Sequence, residues 1–261
     1  MINSNTAIKL KSILALKAKH SQYQKLPKIA EQYNIAQDYG PNYINRYEEE
    51  RLNAICQAID FSKVKTVLDI GGNTGYFSFE LATRHPELGS LVVEGNREHA
   101  DFIGLLAEAS GLSVKSVNRY FEFNSTTSNF FPVDVTLLFN VIHHLGDDFG
   151  DKNLTVEDAK LRMLDCVNYL SDKTSMLVLQ FGYCWKGIRA HGLFEHGTKK
   201  EMIDFIKSGT EGYWDIVDIY VAERDSESKN IQYNKLNDKN IERDDSMGEF
   251  GNRPIFILRS K

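Results

Sequence analysis

The chain has 261 residues, enough at roughly 100 to 200 residues per domain for one large domain or two small ones. With 42% hydrophobic and 26% charged residues it matches ordinary globular proteins, which excludes disordered, collagen-like and disulfide-scaffold classes, and a formal net charge of -5 argues against a broad electrostatic footprint for nucleic acid. Cys56, Cys166 and Cys184 are odd in number, widely spaced and without a Cys-x-x-Cys pair, so no disulfide framework or thiolate zinc site is expected, and a reducing, cytoplasmic setting fits best.

Near the start, Ile13 to Leu16 is the longest apolar stretch, too short for a signal-peptide core or a bilayer span. Residues 1 to 30 carry six lysines, Lys9, Lys11, Lys17, Lys19, Lys25 and Lys28, read as a solvated helix face. Apolar residues recur at helical spacing from Ile8 to about Ala36, with Pro27 as a break, and again from about Tyr43 to Ile59. Residues 1–60 are therefore expected to form an N-terminal helical cap. At Val64 the pattern changes: Val-Lys-Thr-Val-Leu-Asp-Ile is a short strand, Gly71 to Gly75 a tight turn, and a helix runs on to about Thr83.

The rhythm repeats. Ser90 to Glu94 reads as strand, Glu98 to Ser110 as helix, Ser113 to Val117 and Asp134 to Asn140 as strands, Thr155 to Leu170 as a helix opened by the pair Thr155 and Asp158, and Ser175 to Phe181 as the fifth strand. Alternation of this kind predicts a parallel sheet covered by helices on both faces. Lys199 to Ser208 is a further helix. Trp214 to Ala222 and Pro254 to Arg259 are strand-like with no apolar helix between them, so an antiparallel pair is expected. Between them, 14 of the 31 residues from Glu223 to Arg253 are charged. A polar insert at about 226–251 is predicted within a domain spanning 61–261, as a long loop acting as a lid or an acceptor-specificity element.

A glycine-rich strand-to-helix turn lets a ligand approach the backbone, with the helix N-terminus aiming N–H groups at it. A dinucleotide fingerprint needs Gly-x-Gly-x-x-Gly, but counting from Gly71 puts Asn73 and Tyr76 at the second and third glycines, which disfavours NAD or FAD. The run Val67-Leu68-Asp69-Ile70-Gly71-Gly72-Asn73-Thr74-Gly75-Tyr76-Phe77 instead resembles the first motif of the class I S-adenosylmethionine-dependent methyltransferases. Asp69, Gly71 and Gly75 match its acidic residue and outer glycines; Asn73 replaces the middle glycine and Gly72 precedes it. Glu94, 25 residues after Asp69 and followed by Gly95, matches the carboxylate that the resemblance places on the ribose hydroxyls. The segment from Val133 through Asn140 to Leu145 resembles the fourth motif.

The resemblance covers about residues 50 to 261. It implies an α/β, Rossmann-like, seven-stranded and mostly parallel sheet with an antiparallel last strand. It also implies S-adenosyl-L-methionine as cofactor, S-adenosyl-L-homocysteine as product, and Asp69, Gly71, Gly72, Asn73, Gly75, Glu94, Gly95 and Asn140 as cofactor-binding residues.

A hydroxyl acceptor calls for a general base, and histidine suits that task near neutral pH. Asn140-Val141-Ile142-His143-His144-Leu145-Gly146-Asp147-Asp148 resembles the Ile-Leu-His-Asp-Trp segment of small-molecule O-methyltransferases, which puts His143 at the base position. His144 stands where that pattern has Asp, so both histidines are catalytic candidates and the orienting residue does not carry over. Gln180, Tyr183, Trp185, Lys186, Arg189, His191, Glu195 and His196 follow the fifth strand, where open α/β sheets bind ligands. Lys186 and Arg189 suit an anionic acceptor. No resident metal is expected, since the spacing of His191, Glu195 and His196 is not diagnostic.

The Asn-Pro-Pro-Tyr type of fourth motif is absent, which removes support for nucleic-acid base methylation. The expectation is methylation of a small molecule at oxygen, in the manner of bacterial enzymes that act on sugars or sugar-linked groups of surface polysaccharide. An RNA or protein methyltransferase and a non-catalytic S-adenosylmethionine-binding protein stay open as alternatives.

Overall fold

In the computed structural model, residues 4–15, 23–35, 45–225 and 227–261 are described. The chain divides into two units, one of residues 1–48 and 60–121, the other of residues 49–59 and 122–261.

In the first unit, β1 (Thr66–Ile70) and β2 (Gly89–Glu94) pair in parallel, Leu68 opposite Leu91 and Ile70 opposite Val93, and β3 (Val114–Asn118) adds in parallel beyond β2. Parallel pairing needs a crossover, and α3 (Tyr76–Arg84) and α4 (Arg97–Ser110) supply it. α4 starts where the Asn96 side chain accepts the His99 N–H and stops at Gly111, whose φ of 69° ends the helix in left-handed backbone. Leu10 of α1 (Ser4–Leu14), Leu26 and Ala30 pack with Phe79, Phe102, Ile103 and Leu106 in one apolar cluster.

The predicted N-terminal helices are shorter than their apolar spacing suggests. Pro27 caps a 3-10 turn over Lys28–Tyr33, and α2 covers Glu48–Ala58. Leu16, Lys17, Lys19, Ala36 and Tyr43 lie outside the described residues.

In the second unit, β4 (Val133–Phe139) and β5 (Thr174–Gln180) are parallel, joined through α5 (Val156–Tyr169), which Thr155 caps by accepting the Asp158 N–H. β8 (Ile255–Ser260) lies antiparallel between β5 and β6 (Trp214–Arg224), so the expected pairing of the last two apolar runs holds. α6 (Lys199–Gly209) opens with a reciprocal capping box between Thr198 and Glu201. The fold is Rossmann-like α/β, parallel through β5 and antiparallel at its C-terminal strands.

Among the described residues the strand count is eight where seven are expected. β7 (Ile231–Lys235) pairs antiparallel with β6 inside the segment read as loop. Its alternation, Ile231 and Tyr233 inward with Gln232 and Asn234 outward, is a strand signal, hidden in the sequence by the charged residues on either side. The rest of that segment is bonded into its unit. The buried Lys199 ammonium donates to the carbonyls of Asn240 (2.9 Å) and Glu242 (2.8 Å), and the Asn252 amide donates to the carbonyls of Asp244 and Gly248, both at 2.7 Å, just beyond the short α7 (Gly248–Gly251). No described helix is long and apolar enough to cross a membrane.

Candidate active site

The glycine turn of the first unit is shaped by two different requirements. Gly71, Asn73 and Gly75 hold φ of 69°, 54° and 79°, the left-handed region that glycine and asparagine tolerate. Gly72 answers to space instead: a Cβ there would lie 2.5 Å from Val92 Cγ1 and 2.9 Å from Asp69 Oδ2. Asp69, at the buried end of β1, accepts the Ser78 hydroxyl at 2.8 Å, and Ser90 donates in turn to Ser78 at 2.8 Å. Burial pushes the Asp69 carboxyl up to about 6, with the Ser78 bond opposing. The backbone beside it can fold tightly because Gly72 has no side chain.

Glu94 ends β2 with both carboxylate oxygens engaged by backbone. Oε2 accepts the Asn73 N–H at 2.8 Å and Oε1 the Asn96 N–H at 2.7 Å. The carboxylate is thus fixed in place, tied to the glycine turn on one side and to the N-cap of α4 on the other. The Asn73 amide nitrogen lies 3.3 Å from His99 Nδ1. A Cβ on Gly95 would fall 2.5 Å from the Tyr120 ring, so the missing side chain lets that half-exposed ring lie against the backbone, while Asn118 donates to the carbonyls of Glu94 and Gly95.

These residues suit a nucleoside carrying an amino acid. A carboxylate has roughly four acceptor sites and matches a vicinal diol, and Thr74 Oγ1 in the turn is fully buried without a hydrogen-bond partner. The structure brings Asp69, Gly71, Gly72, Asn73, Gly75, Glu94 and Gly95 together in one unit.

In the second unit, Asn140 closes β4 in left-handed backbone, φ 59°, with its N–H on the Gln180 carbonyl at 2.6 Å. Its side-chain oxygen accepts from Arg253 Nη1 at 2.7 Å and its amide donates to Gln180 Oε1 at 3.4 Å. Arg51 also donates to Gln180 Oε1, at 3.2 Å, and Arg253 Nη2 bridges to Glu249 at 2.6 Å. Asn140 is therefore the middle of a network holding two guanidinium groups.

His143 and His144 share one 3-10 turn beyond β4, ring centroids 4.3 Å apart and tilted by 44°. His143 is 2% exposed, and a Cβ on Gly182 would sit 2.9 Å from its Nε2 and 3.0 Å from Arg253 Nη2. His144 Nδ1 lies 3.7 Å from Asp148 and 4.0 Å from Asp147. The carboxylates nearby thus flank His144, a pairing that the O-methyltransferase pattern does not supply.

Among the described residues, the metal-ligand types gathered within 4.8 Å are His144, Asp147 and Asp148, rather than His191, Glu195 and His196. Of the other residues after β5, Tyr183 is buried, its hydroxyl donating to the Asn252 carbonyl at 2.5 Å, and Trp185 Nε1 donates to the Leu145 carbonyl at 2.6 Å. Lys186 lies over the Trp185 ring, whereas Arg189, His191, Glu195 and His196 are exposed. Gly182, Arg51 and Arg253 went unnoticed in the sequence, because nothing local marks a glycine or an arginine as facing a distant histidine or asparagine.

No family profile matches the chain. In sequence it is similar to O-methyltransferase 2 of Dictyostelium discoideum, 28% identical over 113 residues, covering 42% of this chain and 32% of that protein. It is also similar to ribosomal RNA small subunit methyltransferase G of Acholeplasma laidlawii, 23% identical over 147 residues, covering 56% of this chain and 50% of the relative. The chain thus spans half or less of the length of these curated relatives. Its fold is similar to that of the bifunctional kinase-methyltransferase WbdD, with a TM-score of 0.57 and 14% identity over 98% of this chain and 46% of the other.

What these comparisons define is the methyltransferase class of Rossmann-like fold. Within that class, the chain resembles the S-adenosylmethionine-dependent methyltransferases of class I.

Proposed function

We propose that the chain is an S-adenosylmethionine-dependent methyltransferase whose acceptor is a small molecule, a hydroxyl of a sugar or sugar-linked group. The observation that carries this reading is the Glu94 carboxylate, fixed at the end of β2 by the N–H groups of Asn73 and Asn96 beside a glycine turn with no side chain at position 72. Glu94 takes the ribose hydroxyls, Asp69, Gly71, Gly72, Asn73, Gly75 and Gly95 shape the cofactor turn, and Asn140 completes the cofactor set. When bound, S-adenosylmethionine supplies an electrophilic methyl group displaced in line from its sulfonium. His143 serves as general base, its neutral imidazole taking the proton of the acceptor hydroxyl as the oxygen bonds to carbon. Lys186 and the exposed Arg189, beyond β5, suit an anionic or sugar-phosphate acceptor.

In this reading residues 1–60 act as a helical cap on a methyltransferase domain of residues 61–261, and three free cysteines fit a cytoplasmic setting. Calorimetric titration with S-adenosylhomocysteine tests the cofactor assignment: the wild type binds, and Glu94→Ala loses about tenfold or more in affinity, as expected for removal of hydrogen bonds to a charged group. Unchanged affinity in that variant removes Glu94 from the site. A second reading, methylation of RNA, draws on the likeness to ribosomal RNA small subunit methyltransferase G. Transfer of labelled methyl to ribosomal RNA but to no sugar acceptor would favour it, and cofactor binding without any transfer would favour a regulatory binding protein.

A further inference from the structure

In the turn beyond β4, His144 Nδ1 lies 3.7 Å from Asp148 Oδ2 and 4.0 Å from Asp147 Oδ2, and one ligand-type atom from each of the three falls within 4.8 Å of the others. A histidine and an aspartate that merely paired would close to a hydrogen bond of about 2.8 Å. Atoms that share one ion, each about 2.0 to 2.2 Å from it, stand instead about 3 to 4 Å apart. Both spacings from the imidazole are of the second kind.

The backbone sets this arrangement. The His144 carbonyl accepts the N–H groups of Asp147 at 2.9 Å and Asp148 at 3.1 Å, which curls both carboxylates back toward the imidazole. Gly146 permits the curl: its φ is 82°, its N–H donates to the Phe149 carbonyl at 2.6 Å, and a Cβ there would lie 2.8 Å from the Asp151 carbonyl oxygen. Trp185, bonded to the Leu145 carbonyl, ties the turn to the segment after β5.

Charge and access point the same way. Two carboxylates and a neutral imidazole, its proton on Nε2, balance a divalent cation. Lys186 crosses Gly146 but does not neutralise them: its ammonium donates to the Lys152 carbonyl at 3.3 Å, lies over the Trp185 ring and forms no ion pair among the described residues. The side chains of His144 and Asp148 are 16% exposed and that of Asp147 40%, so the centre is sheltered at the imidazole and open beside Asp147. An imidazole nitrogen among the ligands favours manganese, cobalt or zinc over magnesium and calcium, which take oxygen sets.

We propose that His144 Nδ1, Asp147 and Asp148 bind one divalent transition-metal ion. The expectation of no resident metal rests on His191, Glu195 and His196, a different and exposed set. The ligands are complete without any cofactor. The role of the ion rests on the methyltransferase reading: three protein ligands leave coordination positions open, which oxygens of the acceptor, such as neighbouring hydroxyls of a sugar, can fill.

The test is calorimetric titration of the metal-stripped full chain with cobalt chloride and with magnesium chloride, in the absence of cofactor. The wild type should take one Co²⁺ per chain, about tenfold or more tighter than Mg²⁺, with the visible absorption of a nitrogen-ligated Co²⁺ centre. His144→Gln should weaken Co²⁺ about tenfold or more and abolish that absorption, and Asp148→Asn, which keeps the shape of the turn, should weaken it as much. His191→Ala should bind as the wild type does. Equal affinity for the two metals, loss in His191→Ala rather than in the other variants, or no uptake of Co²⁺ overturns the site. A chain that binds S-adenosylhomocysteine but no Co²⁺ overturns this inference alone, whereas one that binds Co²⁺ at these residues but no S-adenosylhomocysteine supports the metal site and overturns the cofactor reading.

Discussion

The His143 ring lies against Gly182, in the space that a side chain there would fill. A Cβ at residue 182 would meet His143 Cδ2 and Nε2 at 2.9 Å, closer than packed atoms tolerate, and Arg253 Nη2 at 3.0 Å, a tight contact. The first residues after β5 are therefore shaped around an imidazole edge and a guanidinium. Gly182→Ala is expected to displace the His143 ring and lower turnover roughly a hundredfold, the scale of a 1 Å misplacement, while S-adenosylhomocysteine affinity stays at the wild-type value. Turnover within twofold of wild type would show that the ring position is not critical.

His143→Ala should lower turnover by about 10² to 10⁴, the usual contribution of general-base catalysis. His144→Ala serves as the comparison, because the carboxylates of Asp147 and Asp148 lie beside His144. If His144→Ala is the inactive variant and His143→Ala turns over normally, the base is the histidine backed by carboxylates. Activity in both variants would direct attention to a nitrogen or thiolate acceptor.

Asp69 predicts a pH dependence of stability. Burial raises its folded-state pKa from 3.8 to about 6, so the folded protein holds this proton more tightly than the unfolded chain. The stabilisation is complete below the unfolded value and is lost as pH rises through about 6. The difference amounts to about 3 kcal/mol at most, at 1.36 kcal/mol per unit. Urea titrations of wild type and Asp69→Asn at pH 5 and pH 7 isolate it from other titrating groups: the wild type should lose stability relative to the variant on going to pH 7. Parallel behaviour of the two proteins would mean that Asp69 is ionised at no cost.

Lys199 predicts how firmly the 231–253 segment is held. Lys199→Met keeps the aliphatic bulk but leaves the carbonyls of Asn240 and Glu242 without their ammonium donor. Loss of hydrogen bonds from a charged group is expected to cost about 1.5 to 3 kcal/mol, read as a lower urea midpoint with unchanged slope. A midpoint equal to that of wild type would show that the segment is held without the Lys199 ammonium.

Much of the first unit was legible in the sequence because its determinants are local. The β1 turn announces itself through Gly71, Gly72 and Gly75, α4 through Asn96 and Gly111, and the end of β2 through Glu94, all within a few residues of the structure they specify. What the sequence concealed depends on partners far along the chain. Gln24 meets Tyr76 across 52 positions and Arg253 meets Asn140 across 113, and no periodicity encodes such meetings. β7 was missed for a different reason: five residues of alternating pattern are outweighed by the charge around them.

Position 73 carries asparagine at φ 54°, while position 72 has no room for a β-carbon. The turn therefore separates two demands that a motif written in glycines merges: handedness at 71, 73 and 75, and volume at 72. Handedness admits a short alphabet, with glycine, asparagine and aspartate ahead of any β-branched residue, whereas volume admits one letter. A search pattern that insists on glycine at the middle position passes over this chain; one written as a constraint on backbone conformation and on space finds it, and would find other chains that moved the same glycine by one place.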